Sequence, residues 1–483
     1  MQDTLSKSAD KNVSALKNYF NSSIDFYTKK VSICGFECQI CMFEGLSSIE
    51  RLWIMMLDAM SSLEQNPNTP AELFDCIMRE TDIPMESKIV ACLDDARKHI
   101  TAGASVIFIN GYDKAVVIST QSMQYRSVSE PSGEGNIRGS KEAFTEPLRV
   151  NISLVRRLIR TNELTTVTLT AGKRTMTEVA ILYDQQLVPK SQIDSLKKKI
   201  ENSPLPFVFD SSYLASFICK GGFSLFSAAG YTERPTVAAA KICEGKVVVL
   251  VNGSPFAMIV PYFFSENFQS LDDYAEKAYF ASFVRLLKYA AFFIAIMLPG
   301  VFVSAAGFTP EVLPQQMLYK VAASEQATPL PLFAEMLLVN FMLEIVREAG
   351  LRLPKPVGHS VSLVAAIIVG DAAVNAGLLG TPTVVVAALT TISTFLTPSL
   401  YAPVTVLRVL FILAGGILGP ICIAALFFCM TAAVCGMRTL NYDYCAPIIP
   451  LHKSFFKDGI LRRSWSSTAK DDFKVTDLKD DGN

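Results

Sequence analysis

Hydrophobic and polar positions divide this chain into two parts. Charged residues are dense up to about Lys288, whereas from Tyr289 to Gly436 they are sparse and apolar runs are long. This pattern predicts an α/β region followed by an all-α, multi-pass transmembrane domain. The predicted domains are a leader over 1–30, α/β subdomains over 31–150 and 151–269, an amphipathic juxtamembrane helix over 270–288, a transmembrane domain over 289–437 and a tail over 438–483.

Two stretches of the α/β region share one pattern. Gly103–Thr120 and Gly245–Pro261 each predict a strand, an Asn-Gly turn and a returning strand. Asn252 lies 142 positions after Asn110, and the flanking glycines and alanines keep the same spacing. Each stretch follows an amphipathic helix, so we expect two related subdomains that share a helix-hairpin unit. Chance similarity between two common hairpins is the alternative.

The other elements of the α/β region follow from alternation and capping signals. They are a hairpin over 30–45, helices over 47–63 and 87–100, a linking helix over 152–164, a strand over 172–184, a helix over 192–203 and a strand over 206–210. Between the subdomains, the Gly- and Ser-rich loop 130–140 lacks the spacing of a phosphate-binding loop.

Composition narrows the chemistry. The net charge of −1 gives no indication of nucleic acid, and the polar N-terminus has no apolar signal segment, so we expect the α/β region in the cytoplasm. Cys34 and Cys38 fall on one face of a strand and Cys41 on the other, which favours buried free thiols over a metal site. No catalytic constellation is recognisable, and we expect neither an enzyme nor a cofactor.

The C-terminal part predicts four membrane crossings. The predicted spans are Tyr289–Phe308, Val357–Leu379, Thr383–Leu400 and Val406–Val434. The apolar stretch Leu330–Val346 carries Glu335 and Glu344 and is left open as a tilted span or a re-entrant helix. Basic residues flank the first and last spans, so we expect the N-terminal region and the tail on the same, cytoplasmic side.

One face of the Val357–Leu379 helix has polar ends and an aliphatic middle. At 100° per residue, its members fall within about 80° of one another, and they are Ser360, Val364, Ile367, Asp371 and Asn375. Such a stripe could line a pore, with Val364 and Ile367 as the constriction. Close packing between helices rich in small residues is the alternative.

Specific strings resemble a known family. The stretches Thr232–Pro261, Phe268–Tyr289, Glu344–Gly358 and Val369–Leu379 resemble the GerA-type spore germination proteins, specifically the A subunit of spore germinant receptors. The resemblance extends over about 103–465. The chain is also similar to the stage V sporulation AF branch of that family.

This resemblance implies a function and partners. It implies a multi-pass subunit of the spore inner membrane that works with a permease-like B subunit and a lipoprotein C subunit, and that forms a homo-oligomeric cation channel of five copies. The alternatives are a non-conducting scaffold and a stage V AF-type channel that amplifies germination. The matching strings also mark structural or gating candidates, which are Glu233, Arg234, Glu344, Arg347, Pro354 and Pro356. The family commonly has Gln where Asp371 stands here.

Overall fold

The computed structural model describes residues 4–48, 50, 52–53, 67–80, 87–120, 131, 133–135, 138–219, 224–353, 368–449, 458–462, 464 and 475. The N-terminal part contains two five-stranded sheets, and the C-terminal part contains long apolar helices. The predicted fold class, an α/β region followed by a helical region, is therefore confirmed.

The first α/β unit contains α1 (Ala9–Tyr19), β1 (Phe26–Ile33), β2 (Phe36–Phe43), α2 (Pro70–Asp75), β3 (Ser87–Val90), α3 (Leu93–Thr101), β4 (Ser105–Ile109) and β5 (Ala115–Ile118). Its strands pair antiparallel in the order β1-β2-β4-β5-β3. Helices α1 and α3 cover one face of the sheet through one apolar cluster, and α2 packs on the other face. The two cores bury both faces of the central strands, which explains why β4 and β5 are continuously apolar.

The second α/β unit contains α4 (Leu148–Leu158), β6 (Leu164–Ala171), β7 (Thr177–Asp184), α5 (Lys190–Glu201), α6 (Ser212–Ile218), β8 (Gly230–Thr232), α7 (Pro235–Cys243), β9 (Val247–Val251) and β10 (Ala257–Val260). Its strand order, β6-β7-β9-β10-β8, repeats that of the first unit strand for strand. The predicted relation between the two subdomains is therefore confirmed.

The Asn-Gly turns explain why the repeat was visible in the sequence. In the first unit the Oδ1 atom of Asn110 accepts a hydrogen bond from the backbone N–H of Ala9 at 3.4 Å. In the second, the Oδ1 atom of Asn252 accepts from the N–H of Leu148 at 3.1 Å. Each turn thus satisfies an N–H group at the start of the first helix of its own unit, where helices leave N–H groups unpaired. The shared residues have the same structural role in both units.

The segment predicted as a leader contributes to the core of the first unit. Val13, Leu16 and Phe20 are almost completely buried. Asn12 in α1 and Asn151 in α4 each accept a hydrogen bond from the backbone N–H six residues earlier, at 2.8 Å in both cases. The repeat therefore begins with α1. This part of the repeat was not recognised from the sequence, because α1 is short and mostly polar and has no apolar pattern to compare with α4.

A buried ion pair joins the two units. Arg156 of α4 and Asp25, just before β1, are 1% and 4% exposed, and Nε of the arginine lies 2.8 Å from a carboxylate oxygen. The guanidinium also donates to the backbone oxygen of Leu164 at 2.7 Å and to the hydroxyl of Ser23 at 3.2 Å. Its face lies 4.6 Å from the ring centroid of Phe43. Because nearly every polar atom has a partner, this junction fixes one unit against the other.

Three predicted elements in the α/β region were wrong in part. The helix predicted over 87–100 begins as strand β3, which pairs with β5, and becomes helical only at Leu93. The strand predicted over 206–210 is irregular, because only its central Val208 is buried while Phe207 and Phe209 stack on the surface. The linking helix ends at Leu158, six residues early. Most of the helix predicted over 47–63 lies outside the described residues.

The helical region contains α8 (Asp272–Ala275), α9 (Ala278–Phe308), α10 (Gln315–Ala327), α11 (Leu332–Arg352), α12 (Ala373–Asn375), α13 (Thr381–Phe395), α14 (Tyr401–Ile417) and α15 (Pro420–Cys435). Among the described residues, Ala278–Phe308 and Pro398–Ile417 are long and apolar enough to cross a membrane. Helices α10 and α11 form a third candidate if this pair, bent by 81°, counts as one span.

Three boundaries in this region differ from the prediction. The stretch 270–288 is not a separate amphipathic helix, because α9 begins at Ala278 and continues for 31 residues through Pro299. The predicted last span divides into α14 and α15 at Gly419, whose φ of +70° breaks the helix before Pro420. The predicted span Thr383–Leu400 corresponds to α13, which follows the N-cap Gly380 and ends at Phe395, five residues before the predicted end.

Contacts along the helices establish their directions. Helices α9 and α14 run in the same direction, since Arg408 lies against Ala295 near one end and Gly419 against Phe308 at the other. Gly300 and Gly415 lie between these contacts, and a Cβ atom on either would clash with the other helix backbone. Helix α11 runs the opposite way, from the cluster around Phe302 to a contact with Tyr401.

The tail returns to the second α/β unit. It forms a small hairpin of β11 (Arg438–Thr439) and β12 (Tyr442–Asp443). The Tyr442 hydroxyl accepts a hydrogen bond from Gln192 in α5 at 2.9 Å, and the backbone oxygen of Tyr444 accepts from the N–H of Phe264 at 2.9 Å. The tail and the second unit therefore lie at the same end of the helical region.

Candidate functional site

The predicted pore stripe is only partly within the described residues. Ser360, Val364 and Ile367 lie outside them, as do Pro354 and Pro356, so their roles stay predictions. The described end of this segment is a π-helical stretch, Ile368–Ala372, followed by α12. The helix stops at Asn375, before Gly377 with its φ of +66°, four residues short of the predicted end at Leu379.

Asp371 and Asn375 lie together on the surface of the helical region. The amide of Asn375 donates a hydrogen bond to the Asp371 carboxylate at 3.0 Å, one helical turn away. Both residues are exposed in the single chain. Asp371 forms no ion pair with any described residue. A carboxylate in this position needs water or another protein surface beside it, because exposure to lipid hydrocarbon would cost several kcal/mol.

Glu344 and Arg347, three residues apart in α11, form an ion pair. An oxygen of Glu344 lies 2.7 Å from the Arg347 guanidinium, and the hydroxyl of Tyr401 donates to Glu344 at 2.5 and 2.7 Å. The guanidinium stacks on the Tyr401 ring at 3.8 Å from its centroid. Tyr401 is the first residue of α14, so the three side chains connect α11 to the start of α14. The pair is half-buried, with side-chain exposures of 25% and 32%.

Glu335 connects α11 to the start of α13. Only 2% of it is exposed, and its carboxylate accepts hydrogen bonds from the backbone N–H of Gly380 and from the hydroxyl of Thr383, the latter at 2.7 Å. Gly380 is the N-cap of α13, so the negative charge faces unpaired N–H groups and the positive end of the helix dipole. The carboxylate thus stabilises the turn between the segment ending at Asn375 and α13.

The predicted candidates Glu233 and Arg234 hold the loop between the two α/β units. Arg234 is buried and donates hydrogen bonds to the backbone oxygens of Glu134 and Ser140. The carboxylate of Glu233 accepts from the N–H of Gly133 at 3.1 Å. The two residues therefore order both ends of the described part of this loop.

The same loop contacts the short segment just before α9. The backbone N–H of Arg138 donates to Asp272 at 3.3 Å, and its guanidinium lies 3.5 Å from Glu276. Just beyond, Arg285 of α9 is fully buried between Asp273 at 2.7 Å and Asp458 of the tail at 3.0 Å. These contacts form a continuous connection from the α/β units to the first long helix.

A buried charge cluster supports this connection. Glu266 lies 2.7 Å from the ammonium group of Lys241 and also pairs with Lys246. Burial opposes ionisation of Glu266, but the two ammonium groups outweigh it and lower the pKa of the carboxyl from 4.5 to about 2. Glu266 also closes the turn Phe264–Phe268 by accepting from the N–H of Phe263 at 2.9 Å.

The cysteines follow the predicted alternation. Cys38 and Cys41 point into the two opposite cores of the first unit, and burial raises the pKa of the Cys38 thiol to about 12. The eleven cysteines, all within the described residues, form no disulfide. Within the described part of the chain, no group of three His, Cys, Asp or Glu side chains is arranged to hold a metal ion.

Three residues of this network were not selected from the sequence as site residues. Glu335 was considered only as a charge within an apolar stretch, Arg408 only as one of the basic residues at the entry of the last predicted span, and Tyr401 not at all. A charge in such a stretch is itself a signal of buried partners or of function. The partners could not be identified, because Thr383 and Tyr401 come from helices whose contacts depend on the tertiary fold.

Two repeated α/β units are joined by ionic contacts to a helical region in which, among the described residues, two helices are long and apolar enough to cross a membrane, and this combination indicates a membrane protein with a large α/β region. Residues 14–472 match the family model described as Bacillus/Clostridium GerA spore germination protein, and the chain belongs to this family.

Individual relatives cover most of the chain. Spore germination protein KA of Bacillus subtilis is 31% identical over 472 residues, which is 96% of this chain and 86% of that protein. Stage V sporulation protein AF of the same organism is 25% identical and covers 94% of this chain and 91% of that protein. The crystal structure of the N-terminal domain of the A subunit of the Bacillus megaterium germinant receptor GerK3 has a TM-score of 0.42 and 20% identity, and covers 55% of this chain and 98% of that one.

Proposed function

We propose that this protein is an A-type subunit of a spore germinant receptor, embedded in the spore inner membrane, and that it forms an oligomeric cation channel. The observation that carries the proposal is the exposed pair of Asp371 and Asn375 in a helical region that is rich in apolar side chains. Lipid is a poor environment for this pair, whereas an aqueous pore shared by several copies would solvate it.

Five copies around an axis would bring five Asp371 carboxylates close together. Like charges at short range either share protons or hold cations between them, so the ring would favour cations over anions. Ile367 and Val364, four and seven residues before Asp371 in the sequence, would provide an aliphatic constriction that closes by excluding water. The proposal includes a permease-like B subunit and a lipoprotein C subunit as partners, and places the α/β units and the tail on the cytoplasmic side.

Ion flux tests the proposal directly. The purified full-length protein is reconstituted in liposomes, and potassium and chloride permeation are compared for the wild type, Asp371→Asn and Glu311→Gln. Glu311 is an exposed carboxylate of the same helical region, in the turn Pro310–Val312, and serves as the matched control. We expect Asp371→Asn to lose cation preference and Glu311→Gln to retain it. Equal selectivity in all three proteins would refute the role of Asp371.

The constriction is tested separately. Val364→Ala and Ile367→Ala should favour the wetted state, so spores with either variant should leak cations or germinate without nutrient. If the segment only packs against other helices, enlarging Ala365 or Ala366 should disrupt the complex while Ile367→Ala leaves germination unchanged. Absence of any flux from correctly assembled protein would favour a non-conducting scaffold.

A further inference from the structure

A cleft lies between α11 and α14, on the side of the helical region that carries exposed apolar side chains. Its volume is about 420 Å³, and it is lined by Leu337, Leu338, Asn340, Phe341, Glu344, Thr405, Arg408 and Val409. Leu338, Phe341 and Val409 at its rim are between 39% and 66% exposed. Since these side chains face the lipid in a membrane-embedded helical region, the cleft is accessible from the hydrocarbon phase.

Arg408 provides a positive charge in this cleft. It is 6% exposed, its Nε atom donates to the backbone oxygen of Ala295 at 2.9 Å, and its Nη2 atom donates to the hydroxyl of Thr394. Both partners are neutral. Its Nη1 atom has no hydrogen bond to the part of the chain that the structure describes, and no carboxylate of that part lies within ion-pair distance.

The neighbouring carboxylate, Glu344, forms no ion pair with Arg408 and is engaged with other partners. Both oxygens of Glu344 accept hydrogen bonds from Tyr401, and one of them pairs with Arg347. The charge of Glu344 is therefore balanced by Arg347. A buried guanidinium without a counter-ion is costly, and such groups normally pair or bind a ligand.

A second polar atom in the cleft also has no partner. Asn340 is 7% exposed, and its amide nitrogen donates to the backbone oxygen of Met336 at 2.8 Å. Its Oδ1 atom is buried without a hydrogen bond to the described residues. The cleft thus offers a cationic donor and a neutral acceptor beside an apolar rim.

The depth of the site suits the head of an amphiphile. Arg408 binds the backbone of Ala295, seven residues along α9 from Lys288, which corresponds to about 10 Å of helix. Helix α11 carries a row of polar residues from Asn340 through Glu344 and Arg347 toward Arg352 at its end. A charged head group could follow this row from the membrane surface to the cleft, and basic pockets between membrane helices are typical sites for anionic lipid heads.

We propose that this cleft binds an anionic membrane amphiphile, with its phosphate or carboxylate group on Arg408, a donor group of its head on Asn340, and its acyl chain along Leu338 and Val409. This assignment does not depend on ion conduction. It requires only that the helical region lies in a membrane.

Lipid retention tests the proposal. The full-length protein is solubilised from vesicles of equal parts phosphatidylglycerol and phosphatidylcholine, and the lipid retained per chain is quantified by mass spectrometry. We expect the wild type to retain phosphatidylglycerol over phosphatidylcholine by about tenfold, because phosphatidylglycerol has a net negative charge, whereas the choline cation of phosphatidylcholine offsets its phosphate charge beside Arg408. Arg408→Gln should retain both lipids equally, and the control Arg438→Gln, which removes an exposed charge after the last helix, should behave as the wild type.

A second variant addresses misfolding of Arg408→Gln. Val409→Trp fills the rim of the cleft and leaves the guanidinium in place, so it should lower phosphatidylglycerol retention while the protein remains monodisperse. Retention of phosphatidylglycerol by Arg408→Gln at the wild-type level would overturn the proposal. It would also be overturned if Val409→Trp dissociated the oligomer without changing retention, since the cleft would then be an interface between copies.

Competition distinguishes the sources of the anionic group. Oleate that displaces phosphatidylglycerol would support a site for carboxylates as well as phosphates on acyl chains. Inorganic phosphate at the same concentration should not displace the lipid, because it has nothing to place along the apolar rim. Displacement by inorganic phosphate alone would overturn the assignment to an amphiphile.

Discussion

The ion pair of Arg156 and Asp25 gives a sharp test of how the two α/β units are held together. The perturbation is Arg156→Leu, which keeps an apolar side chain against Phe43 but removes the guanidinium. Asp25 is 4% exposed and would then be buried without its counter-ion. Among the described residues, only the hydroxyl of Ser23, at 2.5 Å, would still donate a hydrogen bond to the Asp25 carboxylate.

The expected magnitude follows from this geometry. Removing one partner of a buried ion pair costs about 3 to 5 kcal/mol, because the remaining charge stays desolvated. The backbone oxygen of Leu164 would also lose its 2.7 Å donor. The contribution of the pair to stability would be smaller than this cost, so the double variant Arg156→Leu with Asp25→Leu should recover a large part of the loss.

Hydrogen-deuterium exchange of the full-length protein in detergent measures the effect locally. Amides of β1, β2 and β6 surround the pair. Since every 1.4 kcal/mol is a factor of ten, their exchange in Arg156→Leu should accelerate by roughly two to nearly four orders of magnitude. Amides of α13 and α14, in the helical region, should exchange as in the wild type.

Arg157→Leu is the matched control. Arg157 is the next residue of α4 and pairs with Glu142, but the two side chains are 18% and 31% exposed. Water can replace much of this interaction, so we expect a loss of about 1 kcal/mol or less. Equal acceleration of exchange by Arg156→Leu and Arg157→Leu would show that burial does not make the Arg156–Asp25 pair cost more to break than the Arg157–Glu142 pair.

Three further predictions follow from the ionic contacts nearer the helical region. Glu335→Ala should lower the melting temperature of the purified protein by more than Glu335→Gln does, because Gln still provides one acceptor for Gly380 or Thr383 at the start of α13; equal shifts would contradict the capping role. Arg347→Ala should cost about 1 to 3 kcal/mol in the same assay, less than a fully buried pair, because its side chain is 25% exposed; a silent variant in both stability and germination would make the pair dispensable. Folding lowers the pKa of the Glu266 carboxyl from 4.5 to about 2, so the stabilisation from its ion pairs is present above pH 4.5 and is lost as the pH falls toward 2. Amide exchange in β9 and β10 should therefore accelerate over that range, and Glu266→Gln should remove this pH dependence.

The sequence predicted the repeated α/β architecture because its signal is local. Asn110 and Asn252 accept equivalent hydrogen bonds in the two units, and the apolar strands beside them are buried on both faces. The same sequence pattern therefore recurs where the same structure recurs. The pairing of Glu344 with Arg347 was also predictable, since residues three apart share one face of a helix.

Long-range and irregular features could not be predicted in this way. Phe207 and Phe209 alternate as in a strand, yet they stack on the surface, because strands β7, β9 and β10 already provide the sheet that Val208 packs against. The division of the last apolar stretch at Gly419 was missed because the 29 mostly apolar residues of 406–434 fit one long span as well as two shorter helices. For the proposed pore, only Asp371 and Asn375 lie within the described residues, so the rest of the stripe remains a prediction.

The return of the tail to the second α/β unit has a mechanical consequence. The chain enters the helical region through α9 and leaves it through α15, and the buried Arg285 on α9 forms an ion pair with Asp458 of the tail. The start of α9 and the tail that follows α15 are therefore attached to the same part of the molecule, the second α/β unit and the residues next to it. A rotation of the second unit would displace both ends of the bundle together, and the helices between them would have to rearrange relative to one another.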